Sequence, residues 1–599
     1  MPIGSPKHIA ITIAGAVSLG SYEAGALYEL LEAIRQHNGK VEAEQEGQPI
    51  YVDVLTGASA GGMTATILAQ KLLFDGPSFV SADGNPAPWN NPLYETWVQR
   101  ITLAELLDTT DAPIAEGGDP ALLSLLSSQL IETIAREKLL SDTVNGEIAD
   151  HGEHAAISPA GEIRLGMALT NLTGVNYGLP MISGGSFQYT RFEDSIRRRL
   201  TRADRTVTTW QEVANAAVAS GAFPVAFRTK DLTREYADYA DDQPLGWTGG
   251  TRKFNYSDGG ILQNQPLGMA KQLMDDADGH QHSENRFYLF VSPNPMSDQV
   301  DATLNESDVN MVRVVGRIGS VYMGQAMFQD WVEADAVNAR VARLDEQARL
   351  LAVEIASGAV SSAELASRRA CHESLLNLLY SSQAKGNGGQ TSEAEFDGTE
   401  SRAQATARLT RQYSEELQQV GGAETEGGQM LLSGIHLLEK SAGLSELDYM
   451  EIYGVVIDPG KLAGAGIAAF VGFFDESYRR HDYECGRERV QALIAQLNAQ
   501  ASGQGSGGTG AAGQTGRPEL GPIHYTPVPV QIDPTLDGLR LNQINPEDVH
   551  TLKEGLTRRV NQILVHELEN PVERYPAQWG ADLALGVVLN WEFSRDAQG

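Results

Sequence analysis

Apolar positions in the first 300 residues alternate between two rhythms. Continuous β-branched runs of strand length give way to stretches with apolar residues at helical spacing. "HIAITIAGA" is the first such run, and "GSYEAGALYELLEAIRQH" follows with helical spacing. "YVDVLT" and "GMTATILAQKLL" repeat the pair. "EIRLGMALTNL" and "RFYLFVSPNP" read as further strands, and "WQEVANAAVASGAF" as a helix. Strands that are apolar without a break are buried on both faces. Their alternation with helices predicts an α/β fold with a mostly parallel central sheet and helices on both sides.

The rhythm then changes. Residues 301–450 read as mainly helical, with "VNARVARLDEQARLLAVEIA" as the clearest amphipathic stretch. A polar, glycine-rich piece at about 381–408 predicts a mobile loop. "EIYGVVIDP", Glu451 to Pro459, is a strand again, so the helical section is expected to be an insertion before a late sheet strand. Residues 451–500 would complete the core begun by residues 1–300. Residues 501–521 are Gly/Ser-rich and read as a linker. Residues 522–599 form a C-terminal extension, with a helix expected near Asp548 to Glu569.

Charge narrows the partners. The 599 residues carry 45 Lys+Arg against 78 Asp+Glu, a formal charge of −33. Such a chain repels nucleic acid and anionic bilayers at long range, so no nucleic-acid partner is expected. Contact with lipid then depends on local apolar surface. Two cysteines exclude a disulfide framework. "MPIGSPKHIA" lacks a signal-peptide pattern, which gives a cytoplasmic expectation, with peripheral membrane contact or non-classical secretion as variants. The longest near-apolar stretch, "LAGAGIAAFVGFF" from Leu462 to Phe474, is too short to span a bilayer.

One short motif brings chemistry. Gly57-Ala58-Ser59-Ala60-Gly61 fits G-x-S-x-G, with a strand before it and a helix-forming run after it. A serine on such a turn is a strained, exposed nucleophile backed by helix N-terminal amides. The alternative is a tight glycine turn with a capping serine, and with 62 glycines the pattern alone is weak. The strand before it also opens into a small-residue turn, "AGAVSLGSYEAGAL", which can supply backbone N–H groups to an oxyanion. Much later, "FNYSDGGILQNQPLGMA" sets Asp258 before Gly259 and Gly260. Taken alone, D-G-G is more often an ordinary turn.

Together these residues resemble the patatin-like lipid acyl hydrolases. A small-residue loop, G-x-S-x-G about forty residues on, and D-G-G near residue 258 occur here in that family's order. "VASGAFPVAF", Val218 to Phe227, is similar to a helix segment those proteins carry between serine and aspartate. The likeness covers about Lys7 to Pro295. More loosely, "VGFFDESYRRHDYECGRERV" is similar to a late segment of large bacterial members.

The resemblance implies a three-layer patatin-like fold and a Ser–Asp dyad with no histidine. Ser59 would be the nucleophile and Asp258 the base. The oxyanion hole would come from Gly15, Ala16 and Val17. No metal and no cofactor are implied. His280 and His282 read as solvated loop residues. One departure stands out: two of the family's loop glycines and its basic residue are missing from Gly15-Ala16-Val17-Ser18-Leu19-Gly20.

The expected activity is acyl-enzyme hydrolysis of carboxylic esters in phospholipids or related lipids, at a membrane interface or not. The alternatives are a catalytically silent patatin-fold scaffold that binds a partner or lipid, and an ordinary Ser-His-Asp esterase. "PALLSLLSSQLI", Pro120 to Ile131, and "LAGAGIAAFVGFF" read either as acyl-channel walls or, preferably, as core helices.

Overall fold

The structure is a computed structural model that describes residues 3–109, 124–180, 186–277, 285–293, 311–383, 402–442, 450–502, 519–539 and 543–567. An eight-stranded sheet organises it. In chain order the strands are β1 (Lys7–Ile13), β2 (Ile50–Gly57), β3 (Glu162–Pro180), β4 (Ser186–Thr201), β5 (Lys230–Glu235), β6 (Thr251–Asp258), β7 (Arg286–Ser292) and β8 (Ile452–Val456). Strands β8, β7, β1, β2 and β3 lie side by side in that order and pair in parallel. Consecutive residues Ile9, Ala10 and Ile11 are all buried, because strands in this part of the sheet are covered on both faces. The remaining strands β4, β5 and β6 pair antiparallel. The fold is therefore α/β, with a mixed, mostly parallel central sheet.

The pairing of β3 explains how distant residues meet. Strand β4 occupies one edge of β3 from Glu162 to Thr170. The other edge is shared end to end. β2 pairs Val54–Gly57 with Arg164–Met167, and β6 pairs Tyr256–Asp258 with Leu169–Asn171. These two strands run toward each other and stop on either side of Ala168. Their C-terminal ends, at Gly57 and Asp258, are thereby brought face to face.

Helices α1 (Gly20–Glu44), α2 (Ala60–Phe74), α3 (Ser128–Leu139), α4 (Val207–Ser220) and α5 (Leu267–Ala277) connect the strands up to β7. Next come α6 (Met311–Ala356), α7 (Ser362–Gln383), α8 (Arg402–Gln412) and α9 (Glu426–Ser441). After β8 come α10 (Glu476–Ala501) and α11 (Pro546–Glu567). α1 and α10 touch backbone to backbone through two glycines. A Cβ on Gly25 would stand 1.9 Å from the Tyr483 carbonyl oxygen, and one on Gly486 would stand 2.0 Å from that of Tyr22. Beside this contact the buried Arg487 bridges Glu29 at 2.7 Å and Glu484 at 2.8 Å.

The chain forms two compact units. The first is Met1–Met274, Asn285–Gln329 and Ile452–Gly599 and holds the sheet. The second is Asp275–Glu284 and Asp330–Glu451. Its own core gathers Val341, Leu344, Ala348, Leu409, Leu431 and Ile435. A buried Arg408–Glu439 pair lies in the same unit.

Several sequence expectations need correction. The loop expected at about 381–408 is helical at 381–383 in α7 and again at 402–408 in α8; its middle lies outside the described residues. The helix read through "VASGAFPVAF" stops at Ser220, where Gly221 caps it. Residues 520 and 521 are no free linker: Leu520 is buried, and the Lys7 ammonium donates to the carbonyls of Leu520 and Gly521 at 2.9 Å each. "LAGAGIAAFVGFF" is not one core helix. It forms two short turns, Gly466–Ala469 and Val471–Phe473, broken where Ala469 takes φ +67°. His280, His282 and the start of "PALLSLLSSQLI" lie outside the described residues.

Candidate active site

The turn after β2 is built from close backbone approaches. A Cβ on Gly57 would lie 2.4 Å from the Gly61 carbonyl, and one on Gly61 would lie 2.3 Å from the carbonyl oxygens of Ile13 and Ala14. Only glycine at both positions lets β1, β2 and the start of α2 close together. Ser59 sits at the apex with φ +54° and ψ −127°, a conformation that costs a non-glycine residue about 1–3 kcal/mol. Its N–H donates to Ser220 Oγ at 3.0 Å, and Ser220 Oγ donates to the Ala168 carbonyl at 2.8 Å. Ser220 thus ties the apex to the junction where β2 and β6 meet. Ser220→Ala would leave a buried N–H and a buried C=O without partners. The expected cost is about 1–3 kcal/mol, read as a lower urea midpoint at unchanged slope.

Across this junction Ser59 Oγ donates to Asp258 Oδ2 at 2.6 Å. The other carboxylate oxygen accepts the Gly260 N–H at 2.7 Å. The Asp258 backbone is pinned as well: its N–H donates to Ala222, and Thr170 Oγ1 donates to its carbonyl. A Cβ on Gly259 would stand 2.1 Å from the Ala168 carbonyl oxygen, so this turn also needs its glycine. Burial pushes the Asp258 carboxyl up to about 7, against the opposing pull of the Ser59 and Gly260 donors. A carboxylate of this basicity can accept a hydroxyl proton at neutral pH far better than an ordinary aspartate.

Both residues open onto a cavity of ≈ 260 Å³. Its walls follow the C-terminal ends of the parallel strands: Gly15, Ala16, Val17 and Leu19 after β1, Ser59 after β2, Pro293 after β7, and Pro459 after β8. This is where open α/β sheets bind ligands. Phe223, Ile261, Asn264, Ala465 and Ala469 complete the lining with Asp258 and Gly260. A second, smaller cavity behind α2 and α4 is lined by apolar side chains including Met63, Ile67, Trp97, Ile131 and Val218.

The first loop differs from its expected form at one donor. The Gly15 N–H is engaged, donating to the Asn264 carbonyl at 3.3 Å. The N–H groups of Ala16 and Val17 make no hydrogen bond among the described residues. Val17 adopts φ +50°, a region that glycine occupies at no cost and a β-branched residue avoids. The loop therefore keeps a glycine-like backbone without the glycine.

Sequence reasoning offered "LAGAGIAAFVGFF" as a channel wall but preferred a core helix, and it missed how the segment is held at the cavity. The Asp482 carboxylate, in α10, accepts the N–H groups of Ala463 at 2.7 Å and Gly464 at 2.9 Å. Ser18 Oγ donates to the Ala469 carbonyl. These bonds hold residues 463–469 against the first loop. Ser220 and Asn264 were also missed as site residues. Both stood in the stretches that carried the resemblance, but serine and asparagine are common turn and cap residues and nothing local marked them.

Residues 11–271 match the family model of the patatin-like phospholipases. This segment is a patatin-like domain. It contains the end of β1, all of β2 to β6, Ser59 and Asp258, while β7, β8 and α10 lie beyond the match. "Uncharacterized protein y4iI" of Sinorhizobium fredii is 24% identical over 359 residues, covering 48% of this chain. The chain spans about half the length of that curated relative, 49%. Among the described residues no helix is long and apolar enough to cross a membrane, and no three His, Cys, Asp or Glu side chains are grouped to hold a metal ion.

Proposed function

We propose that the chain is a serine lipid acyl hydrolase that cleaves carboxylic esters of phospholipids or related lipids through an acyl-enzyme. The observation that carries this reading is the 2.6 Å hydrogen bond from Ser59 Oγ to the buried Asp258 carboxylate. Ser59 Oγ attacks the ester carbonyl carbon while its proton passes to Asp258. The carbonyl oxygen becomes an oxyanion beside the Ala16 and Val17 N–H groups. Collapse breaks the bond to the leaving alcohol, which takes the proton from Asp258. Water then attacks the acyl-Ser59 ester, with Asp258 again receiving a proton, and collapse breaks the acyl–Oγ bond as that proton passes to Ser59 Oγ, releasing the carboxylic acid and restoring the dyad. The apolar lining of Leu19, Phe223, Ile261 and Ala465 suits an acyl chain.

A second reading is a silent scaffold. Leu19 in place of a cation and the strained Val17 favour it. Labelling with a fluorophosphonate probe, together with hydrolysis of p-nitrophenyl acyl esters, separates the two readings. The parent should label and turn over, and Ser59→Ala should lose both with its circular dichroism unchanged. A parent that stays unlabelled and inert even with detergent or lipid present would establish the scaffold.

A further inference from the structure

Among the residues lining the cavity, only three bring polar side chains: Ser59, Asp258 and Asn264. The first two bond each other. Asn264 follows the Gly259–Ile261 turn and is 8% exposed. Its backbone carbonyl accepts the Gly15 N–H, which fixes the residue against the first loop. Its side chain lies between the loop and the serine: the point where a Gly15 Cβ would start is 2.1 Å from Asn264 Oδ1 and 3.1 Å from Ser59 Cβ. The corresponding point on Gly260 is 2.6 Å from the same oxygen. Yet the side-chain amide makes no hydrogen bond with any described residue. Its amide atoms are not sealed off and keep access to the cavity, where a bound ligand can complete them.

The reaction proposed above creates one new charge in this cavity, on the former carbonyl oxygen. Leu19 cannot meet it, and the Gly15 N–H is engaged. We infer that the Asn264 side-chain amide is an oxyanion donor, placing an N–H on the developing charge beside the Ala16 and Val17 amides. A neutral donor also suits the base. A cation in the same cavity would favour ionised Asp258 and weaken it as a proton acceptor, whereas an amide leaves its basicity intact. This inference rests on Ser59 acting as the nucleophile.

The test uses the full chain with a p-nitrophenyl acyl ester and an alkyl trifluoromethyl ketone, which adds to the serine and mimics the tetrahedral state. The matching methyl ketone serves as a ground-state control. Asn264→Ala should lower kcat on the order of 10²-fold and weaken the trifluoromethyl ketone by a similar factor. KM and methyl-ketone binding should change little, because the lost contact forms only in the transition state. A purely structural role would not give this split, since the backbone bond to Gly15 survives the substitution. Asn264→Asp, nearly isosteric, should be worse than Asn264→Ala because it sets a like charge against the oxyanion. A folded Asn264→Ala with parental kcat and parental trifluoromethyl ketone affinity overturns the inference. If that variant does not fold, parental kcat in Asn264→Asp does the same. A parent inert to both ester and ketone removes the proposed function and this inference with it. An active parent with unaffected variants removes only the inference.

Discussion

Asp258→Asn is expected to abolish most ester hydrolysis and, at pH 8, to make the protein more stable. The loss should be on the order of 10²–10⁴ in kcat, since the amide cannot receive the Ser59 proton. The gain follows from the same burial. The folded-state carboxyl titrates near 7, well above the roughly 3.9 of an unfolded aspartate. The native state therefore holds the proton more tightly than the unfolded chain. Below about pH 4 both states are protonated and the residue costs nothing. As pH rises from about 4 to 7 the unfolded chain gives up its proton while the native state keeps it, so stability falls, and above 7 both states are ionised and the penalty stays constant. The ceiling on that penalty is on the order of 4 kcal/mol. Asparagine removes the charge while its side-chain oxygen can still accept the Gly260 N–H and its amide can still meet Ser59 Oγ. Urea midpoints of parent and variant should diverge between pH 5 and 8, with the variant higher, and converge toward pH 4. In the parent, kcat/KM should rise tenfold per pH unit on the acid side and level off above an apparent value near 7. A flat rate from pH 5 to 8, or a variant less stable than the parent at pH 8, would contradict the assignment.

Gly486→Ala is expected to prevent folding altogether. The added Cβ would fall 2.0 Å from the Tyr22 carbonyl oxygen, backbone against backbone, where no rotamer change gives relief. Pushing α10 off α1 would also pull Arg487 from Glu29 and leave buried charges apart, which alone costs about 3–5 kcal/mol. The sum exceeds what most domains can lose. Gly25→Ala, with its Cβ 1.9 Å from the Tyr483 carbonyl oxygen, should fail in the same way. Gly39→Ala is the control. It lies in the same helix with nothing within 4 Å and should gain about 0.5–1 kcal/mol from helix propensity. Soluble yield and thermal melting distinguish the three, and a soluble, cooperatively melting Gly486→Ala would show that the helices can part.

The parts of the fold legible in the sequence are those set by local pattern. β1, β2 and β7 were readable because strands buried on both faces carry unbroken apolar runs. That β8 is a late strand of the sheet was readable from the strand-like run after a helical stretch, but its place beside β7 was not. Ser59 and Asp258 were flagged because their turns need glycine at fixed offsets, and the spacing of glycines is visible in a string of letters. What stayed hidden depends on pairing over long distances. The end-to-end sharing of one edge of β3 by β2 and β6 has no local signature. The engagement of the Gly15 N–H by Asn264 has none either, since any residue offers a backbone carbonyl. "LAGAGIAAFVGFF" misled because alanine and glycine runs score as core, while the break at Ala469 and the grip of Asp482 lie in dihedral angles and in a helix still to come.

That grip has a temporal consequence. Ser59 leaves the ribosome early, but Pro459, Ala465 and Ala469, which close the cavity over it, follow some four hundred residues later. At bacterial or eukaryotic elongation rates this is a delay on the order of tens of seconds. For the first part of it β1 lacks β7 on one side, and for the rest β7 lacks β8, so a growing chain exposes an apolar strand edge of the kind that recruits chaperones or other chains. A nascent polypeptide that already carries Ser59 and Asp258 still lacks part of its cavity wall, and the cavity can be completed only once the helical section has been synthesised.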